Sequence, residues 1–514
     1  MDAFLKDREV LCLLDTRQIQ RFMFRSNTML DTLGGSDLMI HILPDAIRYA
    51  LTHIDPPLAE GDYDINTDPD AEIPYFTNEK TQFQLLNCAA GNAMFVARTG
   101  ALAQKIVRKI SRYYLDHAYC LNLAASIVEK TGNFGSDIFN LYRNLNAIKA
   151  SSDSFEPLGA LPVVDREKKT GEPVIGIDET RGDPISQASR IRRQEAKLRG
   201  EVITFQQLGT TRAFDGNEYR AVIHADGNNL GITIGRIMQE TADYETATRF
   251  RREINRMIEE KFARIVSDTI HDLETHYQEH FGGKDFSHQF QIIHQAGDDI
   301  NIDCNANLAF PFVQFFFQNL KGTFIWKTEE MEVPLYCCAG IAFVQRDTDF
   351  HAAFELAEEC CDSAKKAAKK KENLQNGLAG NWIDFQVLDN PYSQELDMLR
   401  QRFYTTGEQV SLLLRPYSLG QQDADKPYAY NALIKRIRAL QQYPMTAAQR
   451  KVMRQSYMLG TERFGTWCLH LYREKPELTK MLGAPIWRDS EGGKHATWFD
   501  AEELLDFAMA WREE

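Results

Sequence analysis

The chain has 514 residues, 43% hydrophobic and 26% charged, with a formal charge of −14, a length that exceeds one core and implies about three domains. The acidic balance disfavours broad, non-specific nucleic-acid binding because like charges repel, and leaves room only for a local basic groove or recruitment through a partner. No apolar run reaches the ~18 residues of a membrane span, and the charged opening MDAFLKDREV lacks a secretion signal, so a cytoplasmic protein is expected.

The first element is an apolar strand over 10–14, ending at Asp15. Helical patterns follow through Ile19, Phe22 and Phe24 and again over 38–51. The segment QFQLLNCAAGNAMFVA (82–97) is two apolar runs about a Gly–Asn turn and predicts a hairpin; an amphipathic helix is predicted over 100–118. Residues 151–200 are rich in Pro, Gly and charge and are expected to be irregular. Within them the basic run SRIRRQEAKLRG (189–200) predicts a solvated helix face in preference to a phosphate contact.

The plan then repeats. A strand over 219–225 ends at Asp226, and helical periodicity runs through Phe250, Ile254, Met257, Ile258, Phe262, Ile265 and Ile270. QFQIIHQAGDDINIDC (289–304) predicts strand, Gly-containing turn and strand. A helix over 310–320, a strand over 334–344, a helix over 351–371 and a strand over 382–388 follow. This order, βα(α)ββαβ, is ferredoxin-like with one added hairpin or helix. Residues 391–514 predict a mostly helical packing or interaction domain. The expected fold is α+β: a first palm-like domain over 1–150, an inter-palm region over 151–215, a second palm over 216–390 and a helical C-terminal domain over 391–514.

The two modules look related. Each has a strand ending in Asp, a helix, and a hairpin whose turn is small–Gly–polar, Ala90–Gly91–Asn92 against Ala296–Gly297–Asp298, and both hairpins begin with Gln-Phe-Gln. The first has lost its hairpin carboxylates. The nine cysteines form no CxxC pair, and the adjacent Cys337–Cys338 and Cys360–Cys361 fit neither a disulfide framework nor a zinc ribbon. They are expected to be small buried hydrophobes in a reducing compartment. His271, His276 and His280 are spaced as residues of a surface helix.

In a ferredoxin-like sheet the first and third strands are antiparallel neighbours, so the end of the first lies beside the turn that starts the third. Asp226 occupies one location, Asp298 and Asp299 the other. Three carboxylates there repel unless a cation neutralises them. Hard oxygen ligands suit two Mg²⁺ or Mn²⁺ ions, which activate an attacking hydroxyl and stabilise a leaving pyrophosphate. Gly297 lets the turn fold tightly, and Gly227 lets backbone amides approach a phosphate. Either motif alone is an ordinary turn; their convergence at one palm edge predicts attack of a ribose hydroxyl on the α-phosphate of a nucleoside triphosphate. Lys365 and Lys366 open a basic run, and Lys365 is a candidate contact to the triphosphate.

At these residues the chain resembles the large polymerase-cyclase subunit of type III CRISPR effector complexes. The resemblance rests on HADGNNLG (224–231), QAGDDINI (295–302), CCAGIAF (337–343), AEECCDSAKK (357–366) and WIDFQVL (382–388) for the second palm, which is related to GGDEF cyclases. LLDTRQIQRFMFRSN (13–27), GGSDLM (34–39) and AAGNAMFVA (89–97) resemble the family's degenerate first palm. It covers roughly 8–390, and the tail is similar more loosely. The resemblance implies conversion of ATP into cyclic oligoadenylate messengers in antiviral defence, with metal bound by Asp226, Asp298 and Asp299. It implies nucleotide contacts from Gly227, Asn228, Asn229, Gly297, Cys338 and Lys365, and ATP held between the palms with Gly34, Gly35 and Ser36 contributing from the first.

Departures from the family pattern are AGDD for GGDD, and Cys338-Ala339-Gly340 for Ser-Ala-Gly, which exchanges a base-contacting hydroxyl for a thiol and weakens the adenine preference. The usual N-terminal HD nuclease domain is missing, which predicts a stand-alone or divergent member. LPVVDREKKTGEPV (161–174) resembles the zinc-binding stretch without its cysteines, so no zinc is expected. The leading expectation is a metal-dependent nucleotidyltransferase making a cyclic oligonucleotide from ATP. The alternatives are a cyclic dinucleotide synthase using GTP or mixed nucleotides, and a non-catalytic nucleotide sensor or effector-complex scaffold. Expected partners are ATP or another nucleoside triphosphate and a protein or RNA regulator, with no membrane and with homo-oligomerisation left open.

Overall fold

A computed structural model of the protein describes residues 5–508 apart from 27, 90, 152–162, 179–180, 198–201, 229, 282–284, 328–331, 371–372, 376–377, 389–394, 421–422 and 490–491. The apolar run VLCLLDTR becomes β1 (Val10–Arg17), buried over its first five residues. It is followed by α1 (Met29–His53), β2 (Phe83–Ala89), β3 (Asn92–Ala97), α2 (Gly100–His117), β4 (Asn122–Glu129) and α3 (Phe134–Ser151). Thr28 and Thr99 cap α1 and α2 by accepting from the backbone N–H of Asp31 and Leu102, the Ser/Thr preference that satisfies otherwise orphaned donors. The sheet order is β2-β3-β1-β4, with the short strand Tyr63–Asp64 outside β2.

The stretch expected to be irregular contains a hairpin, Val174–Ile177 with Pro184–Ser186, and α4 (Gln187–Ala196). Here the structure corrects the reading of the basic run. Arg192 is 0% and Arg193 3% exposed, so neither lies on a solvated face. Arg192 Nη1 donates to the Phe22 carbonyl at 2.8 Å, and Arg193 donates to Asp31 and Asp178, both at 2.8 Å. Buried arginines need their charge and donors matched; the Phe22 and Asp31 partners are 170 and 162 residues away in sequence and Asp178 15, while Arg192 Nε has no hydrogen-bond partner among the described residues. Replacing Arg193 with Ala takes from the fully buried Asp31 its hydrogen-bonded counter-charge and leaves only the field of Arg192. The expected loss is about 3–5 kcal/mol, read as a lowered midpoint of chemical denaturation; a midpoint unchanged from wild type would remove this network from the fold's support.

The second module is built from β5 (Glu218–Gly227), α5 (Leu230–Glu240), α6 (Tyr244–Phe281), β6 (Phe290–Ala296), β7 (Asp299–Asn305), α7 (Ala309–Leu320), β8 (Cys337–Gln345), α8 (Phe350–Ala368) and β9 (Trp382–Leu388). Its sheet runs β6-β7-β5-β8-β9, closed by β10 (Tyr417–Ser418), with Thr211–Arg212 also pairing to β5. Through β8 this is the strand order of the first sheet, so the chain is α+β with two ferredoxin-like sheets. The hairpins share more than order. Each carries a register shift at the same place, between Leu85 and Asn87 and between Ile292 and His294, three residues before the last strand residue is reached. A bulge bends and twists a strand, and a common bulge position supports the internal repeat.

Two compact units emerge, and they differ from four contiguous segments. The first comprises 1–204, 230–263 and 324–333; the second comprises 205–229, 264–323 and 334–514. The 38 residues of α6 span roughly 57 Å at 1.5 Å per residue, and contribute to both. The tail carries helices over 396–403, 430–442, 447–458, 461–474 and 476–482, and also strands that periodicity did not reveal. β10 joins the palm sheet beside β9, and Val410–Ser411, Lys494–Ala496 and Ile486–Arg488 form a second small sheet. Arg415 is buried in this region against Glu503 at 2.7 Å and Asp500 at 3.6 Å. Among the described residues no helix is long and apolar enough to cross a membrane.

Candidate active site

Antiparallel pairing of Ala225 with Ile300 brings the end of β5 beside the β6–β7 turn. Asp226, one residue beyond Ala225, faces Cys338 of β8 on its other side. Gly297 has φ 59°, a left-handed conformation that costs glycine little; it turns the chain so that Asp298 and Asp299 follow at the sheet edge. The three aspartates therefore converge as the strand order requires. Burial and the nearby carboxylate of Asp226, with a contribution from Asp299, push the Asp298 pKa up to about 6. Like charges at short range disfavour ionisation in this way.

Lys365 reaches the same place from α8. Its Nζ donates to Asp226 Oδ2. Burial opposes its charge, but Cys361 and Asp226 more than offset that, and the Lys365 pKa is raised. The approach of α8 depends on Gly340 of β8: a Cβ there would lie 1.9 Å from the Ala357 carbonyl oxygen and 2.3 Å from the Cys361 nitrogen. Lys366, Lys369 and Lys370 are exposed, so among the described residues Lys365 is the member of the basic run that meets the carboxylates.

Several expected nucleotide contacts are corrected. Cys338 is 0% exposed; its small thiol packs with Cys361, Ala364, Ala368, Ala379 and Trp382 and is not presented to a base. Asn228 is buried and its amide donates to Cys338 Sγ at 3.2 Å and the Gly380 carbonyl at 3.0 Å, so it ties β5 to its neighbours. Gly34, Gly35 and Ser36 lie buried inside α1. A Cβ at Gly34 would fall 1.8 Å from the Arg192 carbonyl oxygen, so this glycine answers to close packing of α4, and the run is covered. Gly227 sits half-buried at the end of β5, in register with Cys337. Asn229 lies outside the described residues. All nine cysteines are free, seven of them buried, with Cys88 and Cys468 half-buried.

The first module keeps part of the arrangement. Its register places Asn92 opposite Asp15, and Ala89 opposite Asn92 matches Ala296 opposite Asp299. The positions equivalent to Asp226, Asp298 and Asp299 are thus Asp15, Gly91 and Asn92, one residue away from the alignment of the two turn motifs by sequence. Asp15 has a lysine too: Lys149 Nζ is 2.6 Å from its carboxylate. Lys149 stands fifteen residues after the start of α3, and Lys365 fifteen after the start of α8. The Asp–Lys pair is duplicated; the hairpin carboxylates are not.

Carboxylate oxygens are hard donors that suit Mg²⁺ or Mn²⁺, and the mutual repulsion felt by Asp298 is what a bound cation would relieve. The residues fit such an ion in kind. Among the described residues no three His, Cys, Asp or Glu side chains are gathered as a metal-holding group; the positive charge meeting Asp226 is the Lys365 ammonium. Sequence reasoning passed over His224 and Asn301, which contact Asp299 directly or through one another. Their signal was a polar residue in the middle of an apolar strand, in AVIHAD and DINID.

The family description that matches this chain is Cas10/Cmr2, second palm domain, over residues 219–375. No curated protein matches. Among solved structures, a chain of the apo Csm1–Csm4 cassette is 14% identical, aligned over 99% of this chain and 71% of its own length, with a TM-score of 0.50. A chain of the Csm1–Csm4 cassette in complex with cA4 is 15% identical over 98% of this chain and 70% of its own, with a TM-score of 0.49. At such identity the likeness concerns the fold. The stretch from 219 to 375 is a second palm domain of the Cas10/Cmr2 kind, carried in a chain whose fold is similar to that in the apo Csm1–Csm4 cassette.

Proposed function

We propose that the protein is a metal-dependent nucleotidyltransferase that converts ATP into a cyclic oligonucleotide of the cyclic-oligoadenylate type, a second messenger in antiviral defence. The observation that carries this reading is the meeting of Asp226 with the Asp298–Asp299 turn on a Cas10/Cmr2-type second palm. Asp226, Asp298 and Asp299 would hold Mg²⁺ or Mn²⁺. Bound there, the ion would neutralise the carboxylates, lower the pKa of an attacking ribose hydroxyl and stabilise charge on the leaving pyrophosphate. In the reaction a ribose oxygen forms a bond to the α-phosphorus, the bond to pyrophosphate breaks, and the hydroxyl proton must leave. The proton would pass to solvent, since the pKa near 6 of Asp298 belongs to the metal-free site and a cation held there would lower it. Lys365, held at Asp226 in the absence of ligand, is placed to move onto a triphosphate as a point charge. A protein or RNA partner would raise the activity above the basal level of the chain alone; a rate that no such partner changes would count against that control.

One observation favours a second reading, a non-catalytic nucleotide sensor: Asp226 is already paired with Lys365. The two separate cleanly. The full chain is incubated with each nucleoside triphosphate and Mn²⁺ or Mg²⁺, and products are identified by mass spectrometry. Cyclic oligoadenylate from ATP is expected. A cyclic dinucleotide from GTP would change the product assignment, and nucleotide binding with no product from any triphosphate would establish the sensor. Product surviving in the Asp298→Ala/Asp299→Ala variant would overturn the site.

A further inference from the structure

β5 and β7 pair His224 with Asn301, and β8 and β6 continue the same row with Gly340 and His294. This row lies one step behind the aspartates, on the face that side-chain alternation assigns to Asp226 and Asp299. His224 is 5% exposed and Asn301 0%. Polar groups so buried cost about 1–3 kcal/mol each unless they are bonded, so their presence in an otherwise apolar sheet needs a reason.

The bonds supply one. Asn301 Nδ2 donates to Asp299 Oδ1 at 2.9 Å, and His224 Nδ1 lies 2.8 Å from Asn301 Oδ1. An ionised carboxylate only accepts, so the Asn301 amide nitrogen must face Asp299, its oxygen must face His224, and His224 Nδ1 must carry the hydrogen. His224 Nδ1 is also 3.5 Å from Asp299 Oδ1. The ring is held edge-on against Phe354 of α8, with centroids 5.6 Å apart and planes at 80°. The polarity of the chain His224 → Asn301 → Asp299 is therefore determined throughout.

The first module is an internal control. Its equivalents of His224 and Asn301 are Leu13 and Met94, which pair with each other in the same register. The same sheet position is thus filled by an apolar pair where the hairpin carboxylates are missing, so the fold does not demand a polar one. We infer that His224 and Asn301 are positioning residues for Asp299, holding its carboxylate in the orientation in which it takes a divalent cation. This rests on the reading of Asp299 as a metal ligand.

The test measures binding of Mn²⁺ alone to the full chain, counting free ion by electron paramagnetic resonance. Outer-shell partners of metal ligands are typically worth about 10–100-fold in affinity. His224→Leu and Asn301→Met, the residues of the first module, are expected to lose that much, and Asp299→Ala at least as much. His224→Asn, whose amide nitrogen can take the Nδ1 place, is expected to stay near wild type, whereas His224→Gln, whose amide reaches instead toward the Nε2 place, falls with the leucine variant. Folded Leu and Met variants that bind Mn²⁺ like wild type, while Asp299→Ala does not, overturn the inference alone. Unchanged binding in Asp299→Ala overturns the reading of the site and this inference with it. Should the apolar variants fail to fold, the Asn and Gln pair decides: equal affinity overturns the inference.

Discussion

Asp298→Asn is expected to make the metal-free protein more stable well above pH 6 while lowering product formation by about a thousandfold or more. The activity loss follows from removing one ligand of an ion that supplies several kcal/mol of charge stabilisation, since each 1.36 kcal/mol is tenfold in rate. The stability gain follows from the raised pKa. Asp298 stands at about 6 in the fold against 3.8 unperturbed, first through burial and then through Asp226. A carboxyl whose folded pKa is raised contributes stability that is full below the unfolded value and lost as pH rises through the folded one. The wild-type, metal-free protein should therefore weaken between about pH 4 and pH 6, by on the order of 2 kcal/mol. An asparagine side chain does not ionise, so the variant's profile across that window should be flatter. Mn²⁺ should restore the wild type above pH 6 and leave the variant almost unmoved. Thermal melts across pH, with chelator and with Mn²⁺, read both effects; superimposable wild-type and variant profiles would show that Asp298 does not sit in the field of Asp226. A site that is destabilised when empty and active when loaded is the usual exchange of stability for function.

Gly340→Ala is expected to cost about 3 kcal/mol or more and to dismantle the site from behind. The new methyl carbon would sit 1.9 Å from the Ala357 carbonyl oxygen. That is backbone, not the end of a flexible side chain, so α8 as a whole must move away from β8. Overpacking of this kind costs about 1–3 kcal/mol where side chains can adjust, and here they cannot. Lys365 lies on the same helix, so its pairing with Asp226 is lost in the same step. Gly231→Ala is the matched control. Gly231 is an exposed residue of α5, and a methyl group added there would meet nothing within 4 Å, so Ala should gain up to about 1 kcal/mol of helix propensity. Denaturant midpoints compare them; equal midpoints would mean that α8 does not depend on the close approach at Gly340.

The repeat shows how far local pattern carries. Two Gln-Phe-Gln hairpins were legible because a strand's period of two and a turn's small residues are written in neighbouring positions. Pairing the turn motifs by sequence missed the equivalence by one residue, whereas the two Gln-Phe-Gln starts carry the offset that the ladder shows. The register then shows Asn92 in the place of Asp299, and Leu13 and Met94 in the places of His224 and Asn301.

By itself the sequence determined the α+β class, the main order of strands and helices in the second palm and in the first as far as α2, though not β4 and α3, the convergence of Asp226 with Asp298–Asp299, and Lys365 as the lysine worth naming. These follow from periodicity, from turn chemistry and from a strand order that few topologies allow. Tertiary structure alone decided which polar residues are inside. Arg192 and Arg193 were charges in a basic run until Asp31, Asp178 and the Phe22 carbonyl were brought to them. Cys338 became core because Trp382 and Cys361 close over it, and Gly34 became a packing glycine because α4 lies on it. Lys149 was an ordinary helix residue until it met Asp15. Burial and charge pairing depend on partners far away in sequence, whereas a strand, a helix or a turn is specified by its neighbours.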